Sequence, residues 1–227
     1  IEESSTKRNK QPGTDEQKVG DLYNSFMDEA RIDELGLKPI EGELARIDAM
    51  KSKKEIPALM AHLLRIGATS PINGYVNQDA KKPTEYIVYL VQSGLGLPDR
   101  DYYLLDDAKF KDMRAGYVAH VEKTLGMAGD KNAAQSARTI MALETALAKK
   151  YWSRVDSRDD DKTYNKREIA KAGTVMPGFG FAAYLRAAGV TNDAVIVMQP
   201  SALAGIAEQL KARPLAEWKT YFRWHLI

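Results

Sequence analysis

Cysteine is absent from the 227 residues. That excludes disulfides, thiolate zinc sites and a cysteine nucleophile, and it leaves the compartment open. Histidine is scarce. His62, His120 and His225 are each followed by an apolar residue, no H-E-x-x-H helix occurs, and no two stand at ligand spacing. They read as ordinary core or boundary histidines. Net charge is nearly absent too: 33 basic against 31 acidic residues leave +2, without the basic footprint expected of a nucleic-acid binder. No apolar run approaches the roughly 18 residues that a membrane span needs. The chain opens at Ile1 with the polar stretch IEESSTKRNKQPGTDEQ, with neither an initiator methionine nor a targeting segment. It reads as the inside of a longer polypeptide whose start has been removed, and a trimmed terminus would look the same.

What is present is a globular composition, 44% apolar and 28% charged, on a chain long enough to bury a real core. From Asp15 to Glu34, Val19, Leu22, Tyr23, Phe26, Met27 and Ala30 form one apolar helical stripe, with Thr14 or Asp15 as cap and Gly36 and Pro39 as stop. A second helix turns Ile40, Leu44 and Ile47 inward. A third runs through IPALMAHLLRIGA to Gly67. Two β-like runs, around Tyr75–Asn77 and Glu85–Gln92, predict a hairpin. Phe110, Met113, Tyr117, Val121 and Leu125 mark a helix capped by Asp106 or Asp107, and the alanine-rich Lys131–Tyr151 marks another. Beyond the charged break SRVDSRDDDK come a short helix from Asn165, a glycine joint at MPGFGF, a helix about Ala182–Ala188 and the strand AVIVMQ. Two closing helices start at Pro200 and Pro214. The expected fold is mostly α: a multi-helix lobe with a small β-hairpin and one further short strand.

Familiar chemistry is missing. Counted from Asp159, RDDDK has Tyr164 and Ala170 where a calcium loop needs glycine and glutamate. Gly178, Gly180 and Ala183 spell G-x-G-x-x-A, but Pro177 precedes them and no strand leads in, so a nucleotide enzyme built on this loop is disfavoured. No G-x-S-x-G elbow accompanies the scattered serines.

The least ordinary run is VQSGLGLPDRDYYLL. Gly94 and Gly96 permit backbone angles closed to other residues. Pro98 fixes its own φ and pushes Leu97 toward an extended form. Asp99 and Asp101 can accept backbone hydrogen bonds around Arg100, while Leu95, Leu97, Tyr102 and Tyr103 supply apolar anchors. A phosphate cradle wants several free amides at a helix N-terminus. Glycines alternating with leucines predict instead a rigid corner between a strand and a helical region.

L-G-L-P-D-R-D-Y-Y, preceded by a strand and followed by a helix, resembles the signature of the neprilysin-type zinc metallopeptidases, the family of the endothelin-converting enzymes and their bacterial relatives. VGDLYNSFMDEARIDELGLKPIEGELARID is similar to the family's early helix, LETALAKKYWSRVDSRDDDKTYNKRE to its "LE-x-x-(I/L)-A…YN-K" segment, and PLAEWKTYFRWHLI to a stretch leading into a further long helix. Phe26 stands where that family commonly has cysteine, which favours a bacterial relative.

The resemblance implies that residues 1–227 are the N-terminal segment of a two-lobed zinc endopeptidase acting on small peptides. In that family one zinc ion polarises the scissile carbonyl and a glutamate serves as general base. The zinc helix, a downstream glutamate ligand and an N-A-Y-Y-like substrate motif belong to the C-terminal half, and the substrate arginines lie upstream of Ile1; none of these occurs here. The implied catalytic and metal residues of this segment are therefore none. Its structural signature loop is Gly94, Leu95, Gly96, Leu97, Pro98, Asp99, Arg100, Asp101, Tyr102 and Tyr103. The implied partners are the C-terminal catalytic half and peptide substrates, with no nucleic acid and no membrane span. The implied location is exported (periplasmic, secreted or lipid-anchored) in a bacterium, with a cytoplasmic location as the alternative. The alternative function is a catalytically silent helical binding or regulatory module of the same fold.

Overall fold

The computed structural model describes residues 1–7 and 9–227, which form two compact units, Ile1–Gly42 and Glu43–Ile227. Among the described residues there are twelve α-helices and four strands, so the expectation of a mostly helical fold with few strands holds. No helix among them is long and apolar enough to cross a membrane.

The first unit holds α1 (Glu2–Thr6), α2 (Asp15–Met27) and α3 (Glu29–Leu35). Thr14 caps α2 as its position suggests, its hydroxyl accepting from the Gln17 amide at 3.3 Å. The single helix expected from Asp15 to Glu34 is divided at Asp28, whose backbone leaves the helical region (ψ 73°) and whose carboxylate caps α3 through the Arg31 amide at 3.0 Å. The apolar stripe of α2 lies open: Leu22 is 72% and Phe26 77% exposed.

The second unit begins within α4 (Glu41–Ala49), which buries Leu44 and Ile47, and continues with α5 (Ile56–Ile66). Gly67 stops α5 in the left-handed conformation, φ 76°. β1 (Ile72–Asp79) and β2 (Lys82–Gln92) pair antiparallel as a longer hairpin than the sequence suggested. After α6 (Asp101–Leu104), α7 (Ala108–Met127) and α8 (Ala133–Ala148) come α9 (Asp160–Thr163), β3 (Lys166–Glu168), α10 (Phe181–Ala187) and β4 (Ala194–Val197), then α11 (Pro200–Ala212) and α12 (Leu215–Leu226). The sheet order is β1-β2-β4-β3, with β2 and β4 parallel and β3 and β4 antiparallel. Lys166–Glu168 is a strand where the sequence predicted a helix from Asn165. Three polar residues have no period of their own, and the free edge of β4 decides their conformation.

The main core gathers α4, α5, α8, α10, α11 and α12 around Met60, Leu147, Trp218 and Phe222. Because strand side chains alternate, Leu90, Val195 and Val197 enter this core, while Ile87, Tyr89 and Ile196 form a second small cluster on the other face of the sheet. That face is pinned by a buried carboxylate at the end of β1. Asp79 accepts from Lys166 Nζ at 2.7 Å, the Tyr164 hydroxyl at 2.7 Å and the Lys81 amide at 2.9 Å. The Lys166 hydrogen bond, more than the Tyr164 one, holds the Asp79 carboxyl far below its usual range, while burial, aided by the Asp79 bond, pushes the Tyr164 hydroxyl up to about 12.

A lowered folded-state pKa means that the native state resists protonation more than the unfolded chain does. The stabilising contribution of Asp79 is therefore complete above its ordinary value of 3.8 and is lost as pH falls through the lower folded value. In urea titrations across the acidic range, Asp79→Asn should lower the midpoint at neutral pH and flatten its fall on acidification. Parallel wild-type and variant curves would contradict the assignment.

Candidate functional site

The alanine-rich helix α8 carries an acid on its apolar face. Glu144 sits between Leu143 and Leu147 and is fully buried. An isolated buried carboxylate costs several kcal/mol unless donors replace water, and here four donors converge on it. Oε2 accepts from the Tyr103 hydroxyl at 2.6 Å and the Gly96 amide at 3.2 Å; Oε1 accepts from the Tyr117 hydroxyl at 3.0 Å and His225 Nε2 at 2.9 Å. His225 must carry its proton on Nε2 to meet a carboxylate, and its side chain is only 6% exposed.

Outer partners set the direction of each hydroxyl. Trp224 Nε1 donates to the Tyr117 oxygen at 2.8 Å and the Leu97 amide to the Tyr103 oxygen at 2.8 Å, so each tyrosine proton is turned toward Glu144. Burial first and the Glu144 carboxylate second push both hydroxyls far above the ordinary phenol range, so both remain proton donors. Tyr151 and Tyr221, buried beside them and raised for the same leading reason, donate instead to the Ser93 carbonyl at 2.5 Å and the Gly94 carbonyl at 2.6 Å.

The signature loop is the outer half of this network. Gly94 adopts φ 82°, and a Cβ there would collide with the Tyr221 hydroxyl and with Pro71. A Cβ on Gly96 would overlap the Tyr117 ring. Leu95 packs on the main core, and Leu97 on a separate cluster formed by Tyr117, Val121, Leu125, Ala137 and Ile140. Pro98 is exposed. Asp99 accepts from the Asp101 amide at 2.9 Å and starts α6. Arg100 Nη1 donates to the Tyr151 carbonyl at 2.7 Å, and its Nε lies 3.9 Å from the Asp101 carboxylate. Tyr102 offers its carbonyl to Arg114 at 2.7 Å and meets Phe110 edge-on. Tyr103 is buried on Glu144.

The other residues singled out in the sequence lie elsewhere. His62 is half-buried and bonds Glu43 at 2.7 Å. His120 is exposed, its ring edge-on to Trp224. Asp159 caps α9 through the Lys162 amide, and Asp156 pairs with Lys162 at 2.8 Å. Gly178 and Gly180 have φ 81° and 74° and are preceded by a turn of 3-10 helix, not by a strand. Among the described residues no group of three or more His, Asp or Glu side chains could hold a metal ion. Reading the sequence for chemistry passed over Glu144, although its signal was present: an acid interrupting a stripe of Ala137, Ile140, Met141, Leu147 and Tyr151.

The family model described as "Peptidase family M13" matches residues 1–227. The chain is 26% identical over 226 residues to endothelin-converting enzyme 1 of Cavia porcellus, covering 93% of this chain and 30% of that protein. It is similar to the crystal structure of the Mycobacterium tuberculosis zinc metalloprotease Zmp1 in complex with an inhibitor, with a TM-score of 0.88, 35% identity, and coverage of 99% of this chain and 35% of that one. PepO from Lactobacillus rhamnosis shares the fold at a TM-score of 0.77 and 18% identity, over 99% of this chain and 36% of that one. The chain thus spans about a third of the length of these relatives.

Removing the acceptor strands four donors, so Glu144→Ala should cost about 3–5 kcal/mol. Tyr103→Phe, which deletes the hydrogen bond to Glu144 and takes the acceptor from the Leu97 amide, should cost about 2–4 kcal/mol. The double variant should cost less than the sum, because the two groups share one bond. Denaturant midpoints check this, and strict additivity would mean that the pair is not coupled.

Proposed function

Because the chain belongs to peptidase family M13, we propose that it is the N-terminal part of a zinc-dependent endopeptidase and supplies wall and framework, not the reacting groups. The observation that carries this reading is the match along the whole chain, in sequence family and in fold, to about a third of the Mycobacterium tuberculosis zinc metalloprotease Zmp1.

The side chains of this segment do not fit a zinc ion. Two of the three histidines are engaged with single carboxylates and the third packs on a tryptophan, and among the described residues no group of three or more His, Asp or Glu side chains includes them. In this reading the zinc ligands and the general base lie in the C-terminal part of the longer polypeptide, and no catalytic step is assigned to residues 1–227. What this segment contributes is a preformed shape. The Glu144 network fixes the corner between β2 and α7, and the helical layers around it wall a chamber that admits small peptides. An exported location, in the periplasm, outside the cell or held by a lipid anchor, belongs to the same reading and rests on the family likeness.

Purified residues 1–227 with added zinc should hydrolyse a quenched fluorescent peptide no faster than buffer, whereas the intact gene product should turn it over until a chelator is added. Chelator-sensitive turnover by the 227-residue chain would overturn the assignment. An inactive intact product would favour the silent module.

The open stripe of α2 gives a second expectation. Exposed apolar patches mark interfaces, so the 227-residue chain should self-associate in sedimentation velocity, and the double variant Leu22→Glu, Phe26→Glu should reduce that association. A monodisperse wild-type chain would show that the stripe is not a sticky surface.

A further inference from the structure

Strand β1 is an edge of the sheet, and the direction of its amides follows from its neighbour. The Leu90 carbonyl of β2 accepts from the Met198 amide at 2.9 Å, on the β4 side. In an antiparallel pair, residues that exchange backbone hydrogen bonds alternate with residues that do not. Gly74 stands opposite Leu90, so its N–H points away from β2, toward the open edge. An amide left at an edge needs another acceptor. Here the preceding side chain supplies it: Asn73 Oδ1 accepts from the Gly74 amide at 2.8 Å. Further along the same edge, Asn77 Oδ1 accepts from the Gln78 amide at 2.8 Å.

The contact at Asn73 brings the Gly74 nitrogen against the Asn73 carboxamide, and no ladder bond ties that nitrogen down. Asn73 is exposed, and it also lines a cleft of 160 Å³ that is roomy enough for water. Asn73–Gly74 is the only Asn-Gly pair in the sequence. Glycine has no Cβ to obstruct a ring closing on its nitrogen, and its backbone angles change most freely. At Asn77 the same ring would close against the Gln78 side chain. We propose that Asn73 is a deamidation site of the folded protein.

The reaction needs only water. A base in the solvent takes the Gly74 amide proton, and the nitrogen forms a bond to Asn73 Cγ. The bond from Cγ to the side-chain nitrogen breaks, and that nitrogen leaves as ammonia with a proton returned to it. The cyclic imide then adds one water. Opening at Cγ gives aspartate; opening at the backbone carbonyl gives isoaspartate, whose main chain runs through Cβ and Cγ. The net change is NH2 for OH, without oxidation or reduction. Isoaspartate lengthens β1 between two fixed points: Ile72, buried in the main core, and Asp79, held by Lys166 and Tyr164. A lengthened strand cannot keep both ends in register. The proposal stands apart from the peptidase reading, since it uses only the geometry of this edge.

The folded 227-residue chain, aged in mildly alkaline buffer and then mapped by peptic digestion, mass spectrometry and isoaspartyl methyltransferase labelling, tests it. The peptide carrying residue 73 should gain the mass of the NH2-to-OH exchange and accept the methyl label. Its rate should rise with pH, because the amide must lose a proton. Asn77 should stay intact over the same time, and Asn73→Gln should lose the modification. The isoaspartate form, separated by ion exchange, should unfold at a lower urea midpoint than Asn73→Asp. An intact Asn73 in the folded chain, with reaction there only in urea, would mean that the strand protects it and would overturn the proposal. Equal reaction at Asn77 would overturn it too, and equal urea midpoints would overturn the consequence for β1.

Discussion

A carboxylate taken out of water must be given hydrogen bonds in return, and the second unit of this protein is arranged around one such carboxylate. Glu144 draws its four donors from four places in the chain: the loop at Gly96, α6 at Tyr103, α7 at Tyr117 and α12 at His225. Moving any of these elements strands the others' partner. Unlike hydrophobic contact, which tolerates sliding, hydrogen bonds to one buried oxygen pair fix register and angle together. The glycines of the loop follow from the same constraint, because the Tyr117 and Tyr221 hydroxyls approach the backbone where a Cβ would stand.

A second buried acid repeats the device at smaller scale. Asp79 fastens the end of the β1–β2 hairpin to β3 through Lys166 and Tyr164. One stretch of sequence serves both acids, since LETALAKKYW supplies Glu144 itself and TYNK supplies Tyr164 and Lys166, the partners of Asp79. The family-like motifs of this segment therefore describe how two buried charges are satisfied. Such motifs keep their value in a segment without reacting groups, because they set where its surfaces lie. In the peptidase reading, that placement is what a chamber wall needs.

The helices were legible in the chain because amphipathic periodicity is a local property. Val121 and Leu125 of α7, Ile140 and Leu147 of α8, and Leu59 and Leu63 of α5 are buried on the faces that their spacing assigns. The hairpin and β4 were legible from β-branched and aromatic runs. The loop was legible as a corner from its glycines, proline and leucines. Less was legible where a distant partner decides. Lys166–Glu168 takes its strand form from the edge of β4, and the helix break at Asp28 trades one helical turn for a side-chain cap. The apolar stripe of α2 obeys the helical period and yet stays exposed, because periodicity tells which face is apolar and not what covers it.

The sequence by itself determined the helical class, the extent of most elements, the absence of cysteine chemistry and the likeness to a peptidase family. All of these rest on neighbours in the chain or on short motifs. Only the tertiary structure decided that Glu144 is the hub and that Tyr103, Tyr117 and His225 converge on it. Those residues stand as far as 122 positions apart (Tyr103 and His225). The energy that joins them is the desolvation of a charge, which does not arise until the whole fold has closed over it.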